Sequence, residues 1–238
     1  MAVNALRAGD QAVLSVVVLT IGFVDQPDCR TCRTCRGPVL PGYALCYQCD
    51  LARSMAGGLL ADAVAPVAYA VKGGELARDL RLYKSWRDGA DGARKRVAGM
   101  LASFLGEHGP AVWLAAGMTE GPDTVAVVPS GQGRPGDHPL LPVAAEITRL
   151  PVVPLSVRPG GAAHGRYLST GWLRVSGRVD GSDVLVVDDM WVSGASAQSA
   201  AAALKLAGAA RVAVVVLGRH VDPSDPRSSE LVRALARD

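Results

Sequence analysis

The sequence predicts an α/β protein, a mostly parallel sheet flanked by helices, behind a small cysteine-rich segment. Three observations carry that expectation. From about Val67 onward, short β-branched apolar runs alternate with stretches of helical composition, the rhythm of parallel strands joined by helical crossovers. Residues 184–196 read V-L-V-V-D-D-M-W-V-S-G-A-S, a buried strand ending in two acids, then a small-residue turn, then an alanine-rich helix. All five cysteines fall between positions 29 and 49.

The bulk properties fit this reading. The chain has 238 residues, 49% hydrophobic and 20% charged, which describes a globular protein with a sizeable core. A formal charge of +3 is too small to argue by itself for a nucleic-acid or membrane partner. Three regions are expected: an N-terminal extension over 1–28, a cysteine segment over 29–53, and an α/β domain over 60–238. The uncharged run 12–24 is shorter than the roughly 20 residues of a membrane span, and no small-x-small cleavage pattern follows it. It reads as a strand, a packed extension or the product of a misassigned start, in a cytoplasmic protein with no membrane span.

Within the α/β region the expected strands are Val67–Val71, Val125–Val128, Val152–Leu155, Val184–Val187 and Val212–Leu217. The expected helices are Glu75–Lys84, Gly92–Leu105, Leu140–Thr148, Ser196–Leu206 and Ser228–Ala236. Arg158–Gly171, rich in Gly and basic residues without a period, reads as a mobile loop whose Arg158, His164 and Arg166 either meet an anionic ligand or form a basic surface. Gly131–Gly136 matches G-x-G-x-x-G, but Pro135 and Pro139 delay the helix and no acid ends the next strand, which argues against a dinucleotide site. His220 and Arg219, after the last strand, read as surface.

Two segments carry chemistry. Unpaired N–H groups and the helix dipole make a glycine-containing turn at a helix start a cradle for anions. Acids just before such a turn suit the hydroxyls of a sugar attached to a bound phosphate. Asp188, Asp189 and the turn Ser193-Gly194-Ala195-Ser196 therefore describe a ribose-5-phosphate pocket. In the cysteine segment, Cys32-x-x-Cys35 and Cys46-x-x-Cys49 form two knuckles that present four thiolates, the donor set of structural Zn²⁺. Gly37 is expected to let the first knuckle turn tightly. Cys29 makes a second C-x-x-C with Cys32, so Cys29/Cys32 is the competing first pair. The run Cys29, Cys32, Cys35 also resembles the start of an iron–sulfur ligand series.

The stretch 184–196 closely resembles the signature of type I phosphoribosyltransferases, which bind 5-phosphoribosyl-1-pyrophosphate (PRPP). Its order is four hydrophobics, two acids, two hydrophobics, then a Ser/Thr-Gly-x-Ser/Thr turn. With a cysteine ribbon in front, the chain resembles the ComF family of phosphoribosyltransferase-like proteins linked to competence. Tyr69 and Lys84, Val127-Val128-Pro129-Ser130, Arg134 with Gly136, and Gly171-Trp172 match that family more loosely, and Asp137-His138 departs from it. The resemblance implies a type I phosphoribosyltransferase fold and Mg²⁺-dependent transfer of the phosphoribosyl group to an acceptor nucleophile with release of pyrophosphate. It implies that Asp188 and Asp189 hold the ribose hydroxyls and that Val192, Ser193, Gly194, Ala195 and Ser196 cradle the 5-phosphate. Pro129, Ser130 and Arg134 would border the pyrophosphate, making Asp188, Asp189 and Arg134 the catalytic set. The acceptor, the pathway and the oligomeric state stay open. The alternative is a non-catalytic PRPP-sensing module in competence, its ribbon meeting nucleic acid or DNA-uptake proteins.

Overall fold

The computed structural model describes residues 31–130, 138–159, 166–229 and 231–232. A short cysteine-bearing segment, closed by an antiparallel bridge between Thr31 and Pro38, leads into α1 (Tyr47–Ala56). The chain continues through β1 (Ala63–Val71), α2 (Glu75–Leu82), α3 (Ala90–Ala115), β2 (Thr124–Val127) and α4 (Leu140–Thr148). It ends through β3 (Leu155–Val157), β4 (Leu173–Val175), β5 (Asp183–Trp191), α5 (Ala195–Leu206) and β6 (Arg211–Val221). Four strands form one sheet in the order β1-β6-β5-β2, every pairing parallel. β3 and β4 make a separate antiparallel pair. The parallel sheet flanked by helices, with a four-cysteine cluster near the N-terminal side, is the fold class the sequence predicts.

Alternation along the strands builds two cores, one on each face of the sheet. Val67, Val125, Leu185, Val187, Val215 and Leu217 pack with α2, α3 and α4 through Leu80, Tyr83, Leu101, Phe104 and Leu140. Val184, Val186, Val212, Val214 and Val216 pack with α5 and the cysteine segment. α5 is buried along nearly its whole length, from Ala195 through Leu204. Its two polar interior residues are satisfied by flanking loops: Gln198 Oε1 accepts from Ala61 N–H at 2.9 Å and Ser199 Oγ from Ser169 N–H at 2.9 Å.

Several boundaries differ from the expectation, each for a physical reason. β5 does not end at the acid pair but runs on to Trp191, because β6 continues beside it through the pairs Met190–Gly218 and Trp191–Arg219. α3 passes through Pro110 to Ala115. A proline there costs about 3 kcal/mol, and burial of Phe104 and Val112 on either side offsets it. Val152–Leu155 is not a strand. Val152 makes one parallel bridge to Val125, and Pro151 and Pro154 lack the N–H groups that would extend the ladder. Leu155–Val157 instead pairs with β4. Of the last expected helix, Ser228 closes a short 3₁₀ turn (Pro226–Ser228), Ser229, Leu231 and Val232 are helical, and residue 230 and those from 233 on lie outside the described residues. Among the described residues no helix is long and apolar enough to cross a membrane.

Candidate functional site

The acid pair lies at the C-terminal half of β5, and both side chains are buried. Asp189 Oδ2 accepts from the Tyr83 hydroxyl at 3.2 Å and forms an ion pair with Lys84 Nζ. Lys84 Nζ also lies 5.6 Å from the centre of the Tyr83 ring. These two residues follow α2 directly, and Arg94 of α3 pins their segment through bonds to the carbonyls of Tyr83 (3.1 Å) and Ser85 (2.5 Å). Asp188 accepts the backbone N–H of Asp189 at 2.9 Å. Its carboxyl is pushed up to about 8 by burial and by the neighbouring Asp189 charge, against a smaller lowering from Lys84. One acid is thus ion-paired while the other holds its proton at neutral pH.

The turn follows at once. Gly194 has φ of 82°, a left-handed conformation that favours glycine, and it starts α5. A Cβ on Gly194 would overlap the Trp191 indole, so glycine is required for space as well as conformation. Ser193 Oγ accepts the N–H of Ala195 at 3.3 Å. Val192 is exposed at the crest, and Ser193 and Ser196 are half-buried. Arg166 and Tyr167 border the turn together with Ser193 and Ala195. On the neighbouring strand Val127 pairs with Val187, and Val128 N–H donates to the Val187 carbonyl at 3.1 Å. Pro129 and Ser130 therefore leave the sheet beside the acid pair, both half-buried.

Cys32, Cys35, Cys46 and Cys49 come together with their sulfurs all within 4.8 Å of one another. Cys35 Sγ and Cys46 Sγ are 3.7 Å apart. A tetrahedron of Zn–S bonds of about 2.3 Å has edges of about 3.8 Å, so the cluster has the dimensions such an ion needs. Local structure sets this up. Cys32 N–H donates to the Gly37 carbonyl at 2.7 Å, closing the first knuckle, and Cys46 and Cys49 open α1, whose positive end favours thiolates. Crowding by neighbouring sulfurs holds the Cys32 thiol below its ordinary range and pushes Cys35 and Cys49 up. Such sulfurs cannot all ionise unaided, and a divalent cation resolves the conflict.

Two readings are corrected here. The strained residue of the first knuckle is Arg36, at φ of 56°, not Gly37. Gly37 instead leaves room for the guanidinium of Arg219. Arg219 is not a surface residue: it lies within β6, 7% exposed. Tyr83 was not singled out by its own signal, although Lys84 beside it was. Arg134, His164, Cys29 and residues 1–28 lie outside the described residues.

No known family profile matches the chain, and no curated protein matches it. Solved structures similar to part of it include a phosphoribosylpyrophosphate synthetase from Mycobacterium smegmatis, at 22% identity and TM-score 0.33, with 56% of this chain and 37% of that chain covered. A purine phosphoribosyltransferase from Pyrococcus horikoshii matches at 16% identity and TM-score 0.34, covering 55% of this chain and 88% of that one. A hypoxanthine phosphoribosyltransferase from Staphylococcus aureus matches at 14% identity and TM-score 0.32, covering 54% and 73%. The chain spans little more than a third of the first of these.

Proposed function

We propose that this chain is a phosphoribosyltransferase-like protein of the ComF type that binds PRPP with Mg²⁺ and transfers its phosphoribosyl group to a nucleophile. The observation that carries the reading is one juxtaposition. Two buried carboxylates on β5 stand directly before a glycine turn that opens a buried helix, with the Pro129–Ser130 strand end alongside. In this reading Asp188 and Asp189 take the ribose hydroxyls, and the 192–196 turn takes the 5-phosphate through its N–H groups and the Ser193 and Ser196 hydroxyls. Pro129, Ser130 and Arg134 border the pyrophosphate, and Arg166 adds a cation beside the turn.

The reaction is a displacement at C1. The bond from C1 to the pyrophosphate oxygen breaks and pyrophosphate leaves with the electron pair. The nucleophile supplies the new bond, and its proton passes to solvent. The chemistry that Mg²⁺ supplies when bound is to offset charge on the leaving pyrophosphate, and the adjacent hard oxygens of Asp188 and Asp189 fit such an ion. The four cysteines hold a structural Zn²⁺ and take no part in the displacement.

The test is titration of the protein with PRPP and Mg²⁺, followed by a screen of acceptors for pyrophosphate release. Asp188→Asn with Asp189→Asn replaces both carboxyl groups by amides at nearly constant shape. Loss of a charge-assisted hydrogen bond is worth about 1.5–3 kcal/mol, so PRPP affinity should fall roughly ten- to a hundredfold. Unchanged affinity in the double variant refutes the pocket. Binding without turnover on any acceptor points to the PRPP-sensing module instead.

A further inference from the structure

Arg219 has no part in the reading above, yet its guanidinium touches both halves of the molecule that carry chemistry. It stands in one row across the sheet, with Tyr69 of β1 and Trp191 of β5 as its register partners. The row meets the cysteine segment at each position. The Tyr69 hydroxyl donates to the Arg36 carbonyl at 2.9 Å. Trp191 belongs to the same buried cluster as Cys32, Cys35 and Cys49. The Arg219 guanidinium lies so close to Gly37 that a Cβ there would overlap it. Its Nε, beside Gly37, is buried with no hydrogen-bond partner. Four thiolates around a divalent ion leave about two excess negative charges, which a buried guanidinium offsets.

On its other side, Nη1 donates to three carbonyls: His220 at 2.6 Å, Trp191 at 3.0 Å and Val192 at 3.4 Å. The Trp191 carbonyl ends β5 and the Val192 carbonyl opens the turn. A trans peptide points its C=O and its N–H in opposite directions. Drawing the Trp191 and Val192 carbonyls toward Arg219 therefore aims the N–H groups of Val192 and Ser193 the other way, as donors to an anion seated on the turn. A cavity of about 120 Å³, bordered by Gln48, Cys49, Arg53, Trp191 and Ser193, lies between the turn and α1.

We propose that Arg219 is a positioning residue that couples the four-cysteine site to the 192–196 turn. The ribbon fixes the guanidinium, and the guanidinium fixes the turn carbonyls. Metal binding at the cysteines and anion binding at the turn strengthen one another, by reciprocity of linked equilibria. The identity of the anion rests on the PRPP reading, but the coupling itself does not.

The test is amide hydrogen exchange on the full chain, Zn²⁺-loaded and chelated, in wild type, Arg219→Lys, Arg219→Met and Gly37→Ala. In wild type, chelation should raise exchange over 191–196 by about tenfold, the worth of one charge-assisted bond, while β2 amides stay protected. Arg219→Met should show that raised exchange with Zn²⁺ still bound and respond little to chelation. Arg219→Lys, which keeps the charge but not the fork, should fall between. Gly37→Ala should reproduce the effect from the ribbon side with every cysteine and Arg219 intact. In a second arm, PRPP with Mg²⁺ should slow Zn²⁺ release to a chelator several-fold in wild type and not in Arg219→Met. Exchange over 191–196 that ignores chelation in wild type, or that is unchanged in both Arg219→Met and Gly37→Ala, overturns the coupling. If the exchange responses occur but PRPP does not bind wild type, the functional reading falls and the coupling stands.

Discussion

The two faces of the sheet are held by different means. The face under α2, α3 and α4 is filled by large side chains: Leu80, Tyr83, Leu101, Phe104 and Leu140 are each almost fully buried. The opposite face presents α5, whose inward positions Ala197, Ala200, Ala201 and Ala203 are small enough for the helix to lie close on the strands. What lies beyond that helix is a cysteine ribbon and a polar seam, with Lys205 paired to Asp62 at 2.7 Å and Gln198 and Ser199 bonded to loops. Both faces exclude water by apolar packing, but the second adds a four-cysteine cluster and specific polar contacts to it. The candidate pocket sits where the two meet, since Asp189 is held from the α2 side and the turn from the ribbon side.

Removing one cysteine ligand is the largest available break of this contrast. Cys35→Ser should drop the metal content from about one Zn²⁺ per chain to none. It should expose α1 and the ribbon to proteolysis while the α3 face stays protected, because the binding energy of a structural zinc is folding energy. Metal analysis with limited proteolysis checks it, and Cys29→Ser should keep the ion. The reverse pattern would move the first ligand pair to Cys29 and Cys32.

Core substitutions sharpen the contrast at smaller scale. Leu101→Ala on the volume-filled face should cost about 2–5 kcal/mol by leaving a cavity. Ala201→Leu on the other face should cost about 1–3 kcal/mol by overpacking. Denaturant unfolding measures both, and a stabilising Ala201→Leu would reveal spare volume under α5.

Taken per pH unit, the smallest effect is a stability slope. Asp188 is protonated in the folded chain up to about 8, whereas an unfolded chain releases that proton near the ordinary carboxylate range. Unfolding between about pH 4 and 8 therefore releases a proton, and stability falls as pH rises through that window, by at most about 1.4 kcal/mol per unit. The contribution is complete below the lower limit and gone above the upper one. Asp188→Asn should flatten the slope in urea unfolding, and an identical slope in the variant would assign it to another group.

The parts of this arrangement legible in the sequence are those written in consecutive residues. The run 184–196 carries its own strand, acids, turn and helix start, and the two C-x-x-C pairs carry their own geometry. Arg219 was illegible because its role depends on registers across β5, β6 and β1 and on Gly37, which comes far earlier in the chain. Tyr83 was hidden in the same way: its hydroxyl meets Asp189 only after α2 folds over the sheet. The end of α3 was misplaced because Gly106 and Pro110 signal a stop locally, while burial of Val112 beyond them outweighs that signal.

The single bridge at Val152 has a consequence for assembly. β2 is the sheet's last named strand on that side, and its Val125 has both backbone groups engaged: its N–H donates to the Pro151 carbonyl at 3.0 Å and its carbonyl accepts from Val153 at 2.8 Å. The segment that covers it offers no N–H at Pro151 or Pro154. A second chain adding a strand at this border meets a guarded edge, as proteins that resist edge-to-edge aggregation present. Growth by strand addition is blocked there, so copies that pair on this side of the molecule do so through side chains.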